Sequence, residues 1–293
     1  MPASAPLIIE AAINGATTKD TQPHVPRATA DVVADAVACF EAGAAIVHHH
    51  TDDGLFTGRH ATDPYREAWT AIRARIPDAI LYPTMGGGGA HTTIAERYAH
   101  VEDLAELGLL RFALVDPGSV SLGGLDADLL PMAIDLVYQN TFADARYMFD
   151  VVGARGLATH VSIFEPGFLR VALAYHARGR LPRAKIQLYF GGDALPFGLP
   201  PTAASLDAYL AMLAGTDLPW MVGVIGGDVT ATPLAELAIA RGGHVRVGLE
   251  DYAGPARPRN VELVRAVVRM AERAGRPVST RAEAAERLGI ALR

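Results

Sequence analysis

The residues of this chain best suited to chemistry fall in two short stretches. One is His48-His49-His50, followed by Thr51-Asp52-Asp53-Gly54. The other is His244-Val245-Arg246-Val247-Gly248-Leu249-Glu250-Asp251. Side chains alternate faces along a strand, so His48 and His50 share one face, about 6–7 Å apart at Cα, and His49 takes the other. Two imidazoles so placed can share a divalent metal ion. The same alternation puts Arg246, Gly248 and Glu250 on one face if Val245 and Val247 pack outward. Glu250 is then a natural third ligand, giving two histidines, one carboxylate and an open position, the composition of a catalytic zinc site. The bland alternative is an Arg246–Glu250 ion pair that fills the interior, because a buried arginine needs an anionic partner. Asp251 has no such structural reason to be there.

Other candidates are less specific. Thr84-Met85 leads into four glycines, Gly86 to Gly89, whose backbone N–H groups can approach an anion closely. A flexible loop explains them equally well. Ser119, after Asp116-Pro117-Gly118, and Glu165, after Phe164, can reach a site, or act as a helix cap and a first-turn carboxylate. Glu10 sits in an apolar run and is expected to pair with Arg246. Lysine occurs only at positions 19 and 185. Lys185 opens a strand and Lys19 lies in a loop, so Schiff-base chemistry is disfavoured and a metal-assisted route favoured.

These residues must be positioned by eight short apolar runs: 7–13, 44–50, 79–84, 110–115, 157–163, 185–190, 219–224 and 244–250. Helical patterns fill the gaps. One is residues 29–44, with Val32, Val33, Ala36, Val37 and Phe40 at helical spacing and Thr29 as its expected N-cap. Eight β–α units predict an α/β fold, a single (β/α)₈ barrel over 1–293, with the site at the C-terminal ends of the strands. A doubly wound sheet is the alternative, but Asn14-Gly15-Ala16-Thr17 stands where its Gly-x-Gly-x-x-Gly turn belongs. The 116–142 connection is long enough to carry elements of its own. The chain has 26 basic and 32 acidic residues, a poor match for nucleic acid or an anionic membrane. It has one cysteine, Cys39, on a helix face that reads as core. No cationic leader or spanning apolar run is evident, so a soluble cytoplasmic protein is expected.

Taken together, Ala11-Ala12-Ile13-Asn14-Gly15-Ala16, the Glu41-Ala42-Gly43-Ala44 run into His48-x-His50, Pro83-Thr84-Met85-Gly86-Gly87 and Val245-Arg246-Val247-Gly248-Leu249-Glu250-Asp251 resemble the β-keto acid cleavage enzymes. The resemblance runs from about residue 7 to 284. It implies a (β/α)₈ barrel with one Zn²⁺ on His48, His50 and Glu250, and acetyl-CoA as co-substrate. It implies an Arg246/Asp251 pair that handles the proton, Thr84 and Ser119 as holders of the substrate, and Glu165 lining the site as a third catalytic residue. It also implies a homo-oligomer, a tetramer, for which Trp69 and several tyrosines offer packing surface. The products would be acetoacetate and a CoA ester of the remaining acyl part. Thr17 stands where family members with an amino-substituted substrate carry a glutamate, so an uncharged or hydroxylated acyl chain is expected. Gly86 and Gly87 are assigned to the substrate with Thr17. His160 replaces a family carboxylate on strand five and reads as an interior histidine or a pocket residue. A metal-dependent class II aldolase or hydrolase without CoA is the competing reading. A barrel that kept its ligands and lost turnover is another.

Overall fold

The computed structural model describes residues 5–52, 58–87, 92–134 and 137–292. Eight parallel strands form one sheet: β1 (Ile9–Ala12), β2 (Ile46–His49), β3 (Ile80–Pro83), β4 (Phe112–Val115), β7 (Ala158–Ile163), β8 (Ala184–Gly191), β9 (Trp220–Ile225) and β10 (His244–Val247). Their order is β3-β2-β1-β10-β9-β8-β7-β4, and β3 and β4 lie side by side at the seam, so the sheet is a nearly closed barrel. Each of the eight runs read from the sequence overlaps one of these strands; six contain theirs whole, while β8 passes its run by one residue at each end and β9 by one residue at its C-terminal end. The doubly wound alternative is thereby excluded. A two-stranded hairpin, β5 (Val120–Ser121) and β6 (Val137–Tyr138), occupies the long 116–142 connection, as its length implied.

Helices cover the outside: α1 (Thr29–Glu41), α2 (Thr62–Arg75), α3 (Ile94–Glu106), α4 (Phe142–Ala154), α5 (Pro166–His176), α6 (Ala203–Leu213), α7 (Leu234–Ala240), α8 (Asn260–Arg273) and α9 (Arg281–Leu288). In α1, Val32, Ala36, Val37, Cys39 and Phe40 turn inward, so Cys39 is core as read. Thr29 is not the N-cap. Ala28 holds that extended position, and Thr29 is already helical, one residue too late to cap.

Strand pairing sets the site. Glu10 lies opposite Arg246 on one side and Ile46 on the other, and Ala12 lies opposite His48. One expectation needs correcting here. Strand alternation does not carry through to Glu250, because β10 stops at Val247. Gly248 has φ +143°, and a Cβ there would lie 1.9 Å from the Ala12 carbonyl oxygen. Only glycine fits so close an approach. The chain turns there, and Glu250 enters the site from the turn.

Three interior histidines make the fold sensitive to acid. The Trp69 indole donates to His49 Nε2 at 2.8 Å, and the Ile8 N–H donates to His244 Nδ1 at 3.0 Å, so both rings accept and are neutral. Burial pushes His49 down to about 3 and holds His160 and His244 well below the usual imidazole range. The unfolded chain therefore takes up protons below about pH 6.5 that the folded chain refuses. Stability is full above that value and is lost as pH falls. Each histidine contributes up to about 1.4 kcal/mol per pH unit. Below about pH 6, Asp35 and Asp251, whose carboxyls burial raises to about 6, oppose the loss. Urea unfolding at pH 7.5 and 6.0 is expected to show the lower midpoint at pH 6.0. A higher midpoint there would overturn the neutral assignments.

Candidate metal centre and substrate cavity

His48 lies near the end of β2, His50 directly follows the strand and Glu250 follows β10, all at the C-terminal mouth of the barrel. His48 Nε2 lies 3.3 Å from Glu250 Oε2, and His50 Nε2 lies 3.4 Å from Oε1. One donor atom from each residue falls within 4.8 Å of the others. His48 Nδ1 donates to the Tyr82 carbonyl at 3.1 Å, since that oxygen can only accept. Burial, then the charge of Arg246, keeps His48 below the usual imidazole range against the pull of Glu250. Its Nε2 is then a lone pair facing a carboxylate oxygen, and Oε2 has no hydrogen-bond donor among the described residues. Two acceptors in contact need a cation between them, so the donor set fits a divalent ion. His49 faces the other way, as expected: it is buried among Tyr65 and Trp69.

Arg246 lies beneath this cluster, fully buried. Its Nε and Nη2 donate to the two oxygens of Asp251 at 2.8 and 2.9 Å. Nη1 donates to Glu10 at 3.2 Å and to the Tyr82 hydroxyl at 3.0 Å, and Nη2 lies 2.9 Å from Glu250. The guanidinium is surrounded by protein acceptors. The expected Glu10–Arg246 pair is present, and Lys185 also binds Glu10 from the lower end of β8. Burial alone would raise Glu10 and Glu250; Lys185 and Arg246 beside Glu10, and Arg246 beside Glu250, bring both below the usual carboxylate range. Asp251 differs: burial outweighs the pull of Arg246 and raises its carboxyl to about 6. Three carboxylates, the buried Glu10 and Asp251 and the part-buried Glu250, face two cations, Arg246 and Lys185. The protein alone leaves an excess negative charge, and a divalent ion would reverse it.

A cavity of about 210 Å³ opens beside these groups. His48, His50, Glu250, Arg246 and Thr84 contribute to its wall, with Tyr82, Tyr138, Tyr189, Asp116 and His160. Apolar groups, among them Ala16, Met85, Leu122, Phe164 and Ile225, supply much of the rest. His160 is thus a wall residue outside the metal-donor cluster.

The remaining sequence candidates are placed elsewhere. Asp251 lies behind Arg246 rather than on the cavity wall. The Thr17 hydroxyl donates to the Leu249 carbonyl at 2.8 Å. Ser119 bonds the backbone of Asn140 through its hydroxyl, which accepts from the N–H and donates to the carbonyl. Glu165 is the N-cap residue of α5 and accepts the Gly198 N–H at 3.0 Å. The Gly86 carbonyl accepts from Arg97 at 3.0 Å, and Gly87 is half-buried off the cavity wall. Gly88, Gly89, Asp53 and Gly54 lie outside the described residues. Trp69, read as a subunit contact, is fully buried within the chain, as are Tyr65 and Tyr98. It packs its indole on His49 and cannot serve that purpose. Sequence reasoning did not single out Tyr82, Tyr138 or Tyr189. Each is a tyrosine at or beside a strand end, a signal shared by many core tyrosines.

The fold and site define a (β/α)₈ barrel with a His₂Glu donor cluster beside a buried Arg–Asp pair. Residues 6–290 match the model of the beta-keto acid cleavage enzyme family, and the chain belongs to that family. It is 30% identical over 97% of its length to the 3-keto-5-aminohexanoate cleavage enzyme of Fusobacterium nucleatum, of which it covers 98%. It is 28% identical over 97% of its length to the 3-oxoadipate:acetyl-CoA acetyltransferase of Cupriavidus necator, covering 95% of that chain. The solved structure of apo ObcA superposes with a TM-score of 0.68 at 18% identity, over 92% of this chain and 66% of that one. At that identity the likeness shows the barrel.

Proposed function

We propose that this enzyme joins a β-keto acid to acetyl-CoA and releases acetoacetate and the CoA ester of the remaining acyl group. The observation that carries this reading is the convergence of His48, His50 and Glu250 beside the Arg246–Asp251 pair. In this reading His48, His50 and Glu250 hold Zn²⁺. When bound, it supplies Lewis-acid polarisation of the substrate's keto and carboxylate oxygens. With it, the excess negative charge becomes positive and suits an anionic substrate.

Proton removal falls to Arg246 and Asp251 as a unit. Arg246 faces the cavity and Asp251 stands behind it. A proton leaving C2 of the β-keto acid arrives at the guanidinium as another passes along the Nη2–H···Oδ1 bond to Asp251. A carboxyl near 6 is ionised at neutral pH and is basic enough to accept it. C2 then attacks the acetyl carbonyl, CoA transfers to the substrate's keto carbon, and the C2–C3 bond breaks. Thr84, on the wall, holds the substrate. Ser119, Gly86 and Glu165 brace the surrounding loops.

The small, largely apolar cavity favours a compact, uncharged or hydroxylated acyl group. Among the described residues its only arginine or lysine is Arg246, which is already surrounded by acceptors, so a second substrate carboxylate finds no partner. The reading includes a cytoplasmic homo-oligomer, a tetramer. The one buried cysteine agrees with a reducing compartment. Exposed Leu129, Leu130 and Phe142 offer apolar contact surface.

The test is acetoacetate formation from acetyl-CoA with a panel of cationic, neutral, hydroxylated and dicarboxylic β-keto acids, before and after chelation. Turnover is expected with the neutral or hydroxylated class and is lost on chelation. Silence across the panel with metal bound would move the assignment to an aldolase or hydrolase that does not use CoA.

A further inference from the structure

The loop after β1 supplies no metal donor, yet it touches the backbone or side chain of each donor residue. The Ile13 N–H donates to the His48 carbonyl at 3.0 Å. Asn14, only 1% exposed, has all four of its amide hydrogen-bonding positions filled. Its Oδ1 accepts the N–H of His50 and of Gly15, each at 2.8 Å. Its Nδ2 donates to the His50 carbonyl at 3.1 Å and the Pro26 carbonyl at 3.2 Å. The amide orientation is unambiguous, because a flipped amide would set its NH₂ against two backbone N–H groups. Asn14 thus grips His50 by both of its backbone polar groups.

The same loop reaches Glu250. Gly15 has φ +52°, and a Cβ there would lie 2.3 Å from Glu250 Cγ, so the backbone forms a floor under that side chain. The Thr17 hydroxyl donates to the carbonyl of Leu249, the residue before Glu250. The Leu249 N–H is held in turn by Asn260 Oδ1 at 2.8 Å, while Asn260 Nδ2 donates to the Ile13 carbonyl at 2.8 Å. The turn carrying Glu250 is therefore clasped to the end of β1.

We propose that Asn14 and Thr17 are positioning residues of the metal centre, and that Thr17 acts through the Glu250 turn rather than by touching substrate. The inference rests on the metal-dependent reading above. A ligand set assembled from two separate segments of chain keeps its donors in register only if something ties those segments together, and this loop does so. Partners that orient ligands typically change metal affinity by about 10–100-fold when removed.

The experiment measures Zn²⁺ affinity of the full-length protein by competition with a chromophoric chelator, with no substrate present. Three variants are compared: Thr17→Val, which keeps shape and loses the donor; Thr17→Ser, which keeps the donor; and Asn14→Asp, which loses both N–H donors. Thr17→Val is expected to weaken Zn²⁺ about 10-fold, Thr17→Ser to restore most of that, and Asn14→Asp to weaken it about 100-fold. Unfolding midpoints of the stripped proteins separate a loss of affinity from a loss of fold. Thr17 is half-buried at the surface, so that pair reads out even if Asn14→Asp fails to fold. Wild-type affinity in Thr17→Val, with a raised KM for the β-keto acid, would overturn the inference and return Thr17 to the substrate. A wild-type protein that takes up no Zn²⁺ would overturn the inference and the metal-dependent reading together.

Discussion

Asp251→Asn is expected to lower turnover by about 10²–10⁴-fold while leaving the bound metal in place. Asp251 supplies none of the clustered donor atoms, which come from His48, His50 and Glu250. Its two oxygens are engaged by Arg246 Nε and Nη2. An amide there is isosteric and cannot take up a proton at neutral pH. Arg246 keeps Glu10, Glu250 and Tyr82 as partners, so the guanidinium is not stranded. The decisive readout is the pair of values, turnover and metal per chain. In the wild type, kcat/KM should also fall as pH drops through about 6, because the base form of Asp251 is lost there. A variant within about tenfold of wild-type turnover, with full metal, would remove Asp251 from the proton-transfer role.

The barrel was legible because its strands are short apolar runs at regular spacing, separated by helical periodicity, and that pattern depends only on local sequence. The His48-x-His50 pair was legible for the same reason: alternation along β2 and into the residue after it set both imidazoles on one face. Glu10 opposite Arg246 followed from barrel closure, which makes the first and last strands neighbours. Glu250 does join the two histidines, but by a different route from the one the sequence implied. Strand alternation would have placed it, but Gly248 ends the strand and the turn delivers the side chain. Thr17 shows what local pattern cannot supply. Its partner is a carbonyl 232 residues away, brought close by closure and by the tight contact of Gly248 with Ala12. Asn14 has the same character, since its four partners come from three separate stretches of chain. Trp69 reads as a surface aromatic on an amphipathic helix until His49, facing outward from β2, supplies the acceptor that its indole needs.

Arg246→Met is expected to be the most damaging single change to stability. Methionine fills much of the arginine stem's volume, so the loss is electrostatic rather than a cavity. Glu10 keeps Lys185, but Asp251 loses both of its donors and Glu250 loses its nearest buried cation. Breaking a buried pair by removing one partner typically destabilises by about 3–5 kcal/mol, because the charge left behind is neither solvated nor paired. Urea unfolding of the metal-free protein should show a loss of that size. Two further results separate this cause from a packing defect. The stranded carboxylates would bind protons more tightly in the folded than in the unfolded chain, so the variant should regain stability as pH falls toward 5, opposite to the histidine-driven trend of the wild type. Removing the most exposed consequence should also help: Arg246→Met combined with Asp251→Leu is expected to be less destabilised than the sum of the two single changes, because each single change strands what the other removes. Additive losses with no recovery at lower pH would mean that Arg246 stabilises the barrel by shape, and that its charge is not what holds the carboxylate cluster together.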